Sequence, residues 1–325
     1  MKVLFIGGSG VISSACSQLA LSNPDIDLYW FNRGETETDL KPVPNILIGD
    51  IRDRNHVKSV LGAHSFDVVV NWIAFTPEHV KQDYELFRGK VGQYIFISSA
   101  SAYQTPAKRF PIKESTPLDN PFWQYSRSKA DCEKFLISRY EHNRFPVTIV
   151  RPSHTYDRKM LPIIGKYTTF ARMLQNKKVF IHDRGESVWI LTHHKDFAKG
   201  FNGLLGLEKA VGETVHITSD ELLSWNQIYQ TIADAAGVDL NAVYLPSHLI
   251  NAYNPELGAG LLGDKSCSMI PDNSKIKSLV PGFSADIPFI QGAREIVDYY
   301  LNTLQAQVID EQFDSLTDKM ISEWD

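Results

Sequence analysis

The strongest constraint on this chain is a rhythm. Over the first 150 residues, short apolar runs alternate with segments of helical period. Lys2–Ile6, Leu28–Phe31, Asn45–Ile48, Asp67–Asn71, Gln93–Ile97 and Val147–Val150 are rich in Val, Ile and Phe and bounded by turn residues, as strands buried on both faces are. Between them, Val11–Ser22, Arg54–Leu61, Glu78–Arg88 and Phe122–His142 read as helices. Parallel neighbours cannot be joined by a tight turn and need a crossover, usually a helix. The pattern therefore predicts an α/β fold, a Rossmann-type doubly wound parallel sheet. After Arg151-Pro152 the rhythm breaks, and isolated Pro and Gly become commoner. Residues 1–152 are expected to form the core and 153–325 mainly a smaller C-terminal lobe. Some later segments should return to the core, and an acidic helical tail should pack from Gln305 onward.

Composition excludes several classes. The chain has 325 residues, with 38 acidic against 33 basic residues and a net charge of -5. No basic block stands out, so a nucleic-acid partner is not expected. The first apolar run, Val3 to Ile6, is too short for a signal-peptide core, and no later run reaches membrane length. Three widely separated cysteines, Cys16, Cys132 and Cys267, lack any metal-binding spacing. A cytoplasmic protein with reduced thiols and no metal is the expectation.

Gly7-Gly8-Ser9-Gly10-Val11-Ile12-Ser13 follows the first strand and opens a helix. Glycine allows a sharp turn and a close approach of backbone N–H groups to a pyrophosphate, with the helix N-terminus facing the anion. The reading is nucleotide binding; a plain strand-to-helix turn is the alternative. Ser13 stands where glycine is usual in such loops, which predicts a helix slightly farther from its strand. The second strand ends in Phe31-Asn32-Arg33-Gly34. An acidic residue there would repel a 2′-phosphate; Asn32 does not, and Arg33 offers a cation. Between NAD and NADP the choice leans slightly to NADP, the alternative being that Arg33 is a solvated surface side chain. Asp50 and Ile51, after the third strand, are placed to cap an adenine, or Asp50 simply caps the next helix.

Tyr125 and Lys129 lie one turn apart on one helix face. A free phenol has a pKa near 10; a nearby ammonium favours the phenolate and so suits it to proton transfer. The same lysine can hold ribose hydroxyls. Ser99 ends a buried strand, where it would orient a substrate oxygen toward Tyr125; strand-end capping is the alternative for Ser98 and Ser99.

These segments, with Asn71-Trp72-Ile73-Ala74, Ser98-Ser99-Ala100-Ser101-Ala102-Tyr103, Tyr125-Ser126-Arg127-Ser128-Lys129 and Arg151-Pro152, resemble the extended short-chain dehydrogenases, the NAD-dependent epimerase/dehydratase family. Gly185-Glu186, His193 to Ala198 and Asp272 to Lys275 extend the resemblance. It implies that Tyr125 is the acid/base, Lys129 its electrostatic and ribose-binding partner, and Ser99 the orienting hydroxyl. It also implies that Ile73, Ala74, Ser98, Tyr125, Lys129 and Pro152 join Gly7, Ser9, Gly10, Val11, Ile12, Asn32, Arg33, Asp50 and Ile51 around the dinucleotide. A sugar-like substrate, a nucleotide sugar among the candidates, would undergo hydride transfer at a carbinol or carbonyl carbon. A homodimer paired through Glu78–Arg88 and Phe122–His142 is a further implication. The alternative on the same fold is a non-catalytic cofactor sensor or RNA binder, which would have no chemical need for Ser99, Tyr125 and Lys129 together.

Three departures narrow the substrate. Ala100-Ser101 stands where the family's 4,6-dehydratases carry an Asp-Glu pair. His154 falls near the place of a substrate-binding Asn, and Trp189 near that of an Arg that grips the sugar-nucleotide diphosphate. Trp123, His154 and Trp189 are the candidate substrate-pocket residues. His193 and His194 on a strand would point in opposite directions, which argues against a metal.

Overall fold

A computed structural model describes every residue except 36–39, 41, 42, 63 and 325. In chain order the core comprises β1 (Lys2–Ile6), α1 (Val11–Leu21), β2 (Asp27–Asn32), β3 (Asn45–Ile48), α2 (Arg54–Leu61), β4 (Val68–Asn71), α3 (Pro77–Phe87), β5 (Gln93–Ile97), α4 (Gln124–Asn143) and β6 (Val147–Pro152). The next elements are β7 (His154–Tyr156), α5 (Lys166–Leu174), β8 (Val179–His182), β9 (Val188–Trp189), β10 (Leu191–His193), α6 (His194–Asn202) and β11 (Thr214–Ile217). The chain ends with β12 (Leu223–Ser224), α7 (Trp225–Ala236), β13 (Ala242–Leu245), α8 (Ser247–Tyr253), α9 (Pro255–Gly260), α10 (Ser274–Leu279), α11 (Phe289–Asn302) and α12 (Glu311–Trp324).

The sheet order is β11-β6-β5-β4-β1-β2-β3, and every pairing is parallel. Crossover helices cover both faces. Val3, Phe5 and Val70 pack with Cys16, Phe197 and Phe201 on one side. Leu4, Ile6 and Val69 pack with Val57, Val80 and Leu136 on the other. Each such fully buried side chain contributes about 1.5–3 kcal/mol of hydrophobic stabilisation. The order reverses between β1 and β4, where the crevice at the carboxyl ends of a doubly wound sheet receives its ligand.

The seventh sheet strand, β11, returns from the second half of the chain to pair with β6. The remaining short strands form three two-stranded pairs, β7 with β10, β9 with β12 and β8 with β13. Their core gathers Trp189, Trp225, Tyr229 and Phe289. The C-terminal α12 is docked: Met320 and Ile321 are buried, and Arg172 of α5 reaches Asp314 at 2.6 Å and Asp318 at 2.5 Å.

The β4 end is held by a buried carboxylate. Asp83 of α3 accepts from Asn71 Nδ2 and Tyr94 Oη, both at 2.5 Å, and Asn71 Oδ1 accepts the Ile73 amide at 2.9 Å. Burial pushes the Asp83 carboxyl up from 3.8 to about 6, against the pull of these hydrogen bonds. A carboxyl raised in the folded state favours folding when protonated. Stability is therefore full below about pH 4 and is lost as pH rises to about 6. A shift of this size corresponds to about 3 kcal/mol as an upper bound. Asp83→Asn should remove this part of the pH dependence, read as the difference between wild-type and variant urea midpoints at pH 4 and pH 7.5. Parallel curves would refute the assignment.

Candidate active site

Two cavities of about 340 Å³ each open along the carboxyl edge of the sheet. One lies over β1, β2 and β4 and is bounded by Gly7, Ser9, Asn32, Arg33, Asp50, Ile51 and Ile73. The other lies between the sheet edge and the C-terminal segments, and Ile12, Ser99, Tyr125, Pro152, Trp123, His154 and Trp189 all face it. Phe75 connects them: it lines the first cavity, and its ring centroid lies 6.5 Å from that of Tyr125.

At the phosphate loop, Gly8 has φ +116°, and a Cβ there would stand 2.5 Å from the Trp30 indole nitrogen. The demand for glycine at this position thus comes from the protein's own core. Trp30 Nε1 donates to Ser17 Oγ, which donates to the Gly8 carbonyl, both at 3.0 Å. Ser13 is buried and accepts the Gly10 amide at 2.9 Å. Helix α1 begins at Val11, and the first-turn amides of a helix have no intrahelical acceptor, which leaves an anion-binding end. Asn32 Oδ1 accepts the Gly34 amide at 2.9 Å, and Arg33 is exposed and paired with Glu35 at 2.8 Å. Asp50 accepts the Arg52 amide at 2.8 Å, while Asp53 caps α2. These residues fit a dinucleotide: an adenosine-sized recess, an anion-binding turn and a second cavity meet along one edge.

Lys129 is 1% exposed, and its ammonium donates to the Ala74 and Ile97 carbonyls at 2.7 Å each. An ammonium has three N–H bonds, so one remains for a ribose hydroxyl. Burial lowers the Lys129 pKa to about 8. The Tyr125 phenol behaves differently from the sequence expectation. Burial raises its pKa, and the opposing influence is a hydrogen bond with Ser99. Lys129 stands 5.8 Å from the Tyr125 ring centroid and spends two N–H bonds on carbonyls, so desolvation governs the phenol.

Ser99 Oγ lies 2.9 Å from Ser101 Oγ, which accepts from Ser126 Oγ at 2.9 Å. Ser98 is placed apart from both cavities: its hydroxyl turns into the core and donates to Glu133 at 2.5 Å. Glu133 also holds Arg151 through contacts of 2.5–3.2 Å, with side-chain exposures of 0% and 4%. Burial alone would lower the Arg151 pKa, but the Glu133 carboxylate outweighs it and keeps the guanidinium charged. This pair escaped the sequence reading, although Arg151-Pro152 was noted as a motif.

Trp123, His154 and Trp189 come together in the second cavity. The Trp123 and Tyr125 ring centroids are 5.0 Å apart. Burial drives the His154 pKa down to about 3, so its ring is neutral. Asp264 and Lys265, unremarked in the sequence, also line this cavity. Nothing local marks them. They reach the site through long-range contacts such as Asn120 Nδ2 to the Gly263 carbonyl at 2.5 Å.

His193 and His194 do not point apart. His193 ends β10 and His194 opens α6, so the two rings meet at 4.8 Å, with His193 Nε2 3.2 Å from Glu295. Among the described residues, no group of three or more His, Cys, Asp or Glu could hold a metal, and no helix is long and apolar enough to cross a membrane.

Residues 3–217 match the model of the NAD dependent epimerase/dehydratase family. The chain belongs to this family. It is 26% identical over 267 residues to a chloroplast stem-loop binding protein of 41 kDa from Arabidopsis thaliana, covering 78% of this chain and 66% of that protein. It is 32% identical over 158 residues to a UDP-glucose 4-epimerase from Lactobacillus helveticus, covering 42% and 46% of the two chains. The chain thus spans about half to two thirds of the length of these curated relatives. Among solved structures, a dTDP-glucose 4,6-dehydratase of Bacillus anthracis in complex with NAD superposes with a TM-score of 0.75. That comparison shows 20% identity and covers 94% of this chain and 98% of the other. Within the family, Ala100 and Ser101 leave this chain without the acidic pair expected of 4,6-dehydratases.

Proposed function

We propose that this protein is an NAD(P)-dependent epimerase or oxidoreductase acting at a carbinol or carbonyl carbon of a sugar-like substrate. The observation that carries the reading is the meeting of Ser99 and Tyr125 in the lining of one cavity, with the Lys129 ammonium 5.8 Å from the Tyr125 ring centroid. Gly7, Ser9, Gly10, Val11 and Ile12 would hold the pyrophosphate. Asn32, Arg33, Asp50, Ile51 and Ile73 would hold the adenosine side, and Ala74, Pro152 and Lys129 the nicotinamide side. When bound, the dinucleotide supplies a hydride acceptor or donor. Tyr125 takes or returns the substrate's hydroxyl proton, Ser99 orients that oxygen, and Lys129 gives its remaining N–H to a ribose hydroxyl. The walls position the reacting carbon.

NADP over NAD rests on Arg33, which would exchange Glu35 for a 2′-phosphate. We further propose a cytoplasmic protein that pairs through α3 and α4, with residues 153–325 mainly building the substrate lobe. Light scattering at twice 36.7 kDa would support the pairing; a clean monomer would refute it. The stem-loop binding of the Arabidopsis relative is not carried over, because an acidic chain opposes a polyphosphate.

The deciding experiment is twofold. Titration with NAD and NADP should show binding, with Arg33→Ala weakening NADP selectively. Nicotinamide turnover or epimerisation should appear across a panel of sugars and ketones. Dinucleotide binding without turnover of any panel member, together with a gel shift of RNA at moderate salt, would favour the non-catalytic reading.

A further inference from the structure

The second cavity has an unusual charge balance for a site meant to hold a diphosphate. Among the described residues lining it, the oppositely charged side chains are Asp264 and Lys265, and these face each other at 3.3 Å. No arginine lines it, and His154 is neutral. The lining therefore carries no surplus positive charge. A nucleotide sugar brings two negative phosphates, which would have to be desolvated against a cation already paired. The volume points the same way. About 340 Å³ lies at the low end of the range for small-molecule pockets, and the nicotinamide takes part of it.

What the cavity does offer suits a polyhydroxylated ring. Lys265 Nζ lies 5.8 Å from the ring centroids of both Trp123 and Trp189. The indoles present apolar surface to the C–H groups of a sugar, while the ammonium donates to hydroxyls and the Asp264 carboxylate accepts from them. The Lys265 backbone is held in place. Its carbonyl accepts from Ser187 Oγ at 2.7 Å, Trp225 Nε1 at 3.0 Å and His182 Nε2 at 3.1 Å, at the end of a single π-helical turn, Leu261–Lys265. Such turns recur at functional sites. Two further polar atoms of the wall, His154 Nε2 and Trp189 Nε1, are buried without a hydrogen-bond partner. An unpaired buried donor or acceptor is costly, and a ligand hydroxyl that reached either atom would remove the deficit.

We infer that the substrate is an uncharged sugar or cyclic polyol, free or glycosidically linked, rather than a nucleotide diphosphate sugar, with Asp264 and Lys265 reading its hydroxyls between Trp123 and Trp189. This deepens the reading given above and rests on the same site. The test is calorimetric titration of the NAD-loaded protein with glucose, galactose, myo-inositol, methyl glucoside, glucose 1-phosphate, UDP-glucose and UDP. At least one neutral ligand should bind more tightly than its phosphorylated or nucleotide-linked counterpart. Lys265→Met and Asp264→Asn should each weaken that binding at least tenfold while NAD affinity stays unchanged. Tighter binding of UDP-glucose than of every neutral ligand, no neutral binding at all, or wild-type affinity in both variants would overturn the inference. The two readings fail separately. Tyr125-dependent turnover of UDP-glucose would keep the enzyme and remove the neutral substrate, whereas neutral binding without turnover would do the reverse.

Discussion

Replacing Tyr125 with Phe should lower turnover by about 10²–10⁴, the usual contribution of a positioned general acid or base. Dinucleotide affinity should change little. The phenylalanine keeps the ring that packs 5.0 Å from Trp123 and loses only the hydroxyl. Lys129→Met should behave differently. It removes an ammonium bonded to two carbonyls and the N–H left for a ribose, so both affinity and turnover should fall. Steady-state kinetics combined with a fluorescence titration of the dinucleotide separates the two patterns. Turnover in Tyr125→Phe within tenfold of wild type would remove the phenol from the chemistry.

The second large effect concerns stability. Glu133 bonds Arg151 through both carboxylate oxygens, and the side chains are 0% and 4% exposed. Removing one partner of a buried pair leaves the other charge without compensation and typically costs about 3–5 kcal/mol. Glu133→Ala should lose that much in urea denaturation. It should also slow turnover, because Ser98, which the carboxylate holds, adjoins Ser99. The double variant Glu133→Leu with Arg151→Met should recover most of the stability, since two apolar side chains need no partner. A loss below about 1 kcal/mol in the single variant would show that the pair does not stabilise the fold.

Some of this was legible in advance because it is local. Strands β1 and β5 coincide with their apolar runs, β4 starts one residue later and β6 ends two residues later, since burial on both faces writes itself into consecutive side chains; β3 keeps its expected bounds but, as the sheet edge, leaves Ile46 and Ile48 exposed instead of buried. Tyr125 and Lys129 stand out by helical spacing together with the strand-end serines and the family-like segments around them. The direction of the Tyr125 shift was not legible. It depends on how much water the phenol loses and on which acceptors hold Lys129, and both are set by residues far along the chain. His193 and His194 failed for a related reason. The strand condition for opposite directions does not hold, because strand passes into helix between the two residues.

By itself, the sequence determined the alternation of strand and helix, the order of the dinucleotide loop and the tyrosine-lysine pair, because each is a short-range pattern of side-chain size, spacing and backbone freedom. Only the tertiary structure decided that Gly8 makes room for Trp30, that Ser98 faces Glu133, and that Asp264 and Lys265 line the second cavity. Those outcomes depend on which surfaces the packed core brings together at long range, as between Asn120 and Gly263, 143 residues apart. A linear pattern does not encode burial or distance at that separation.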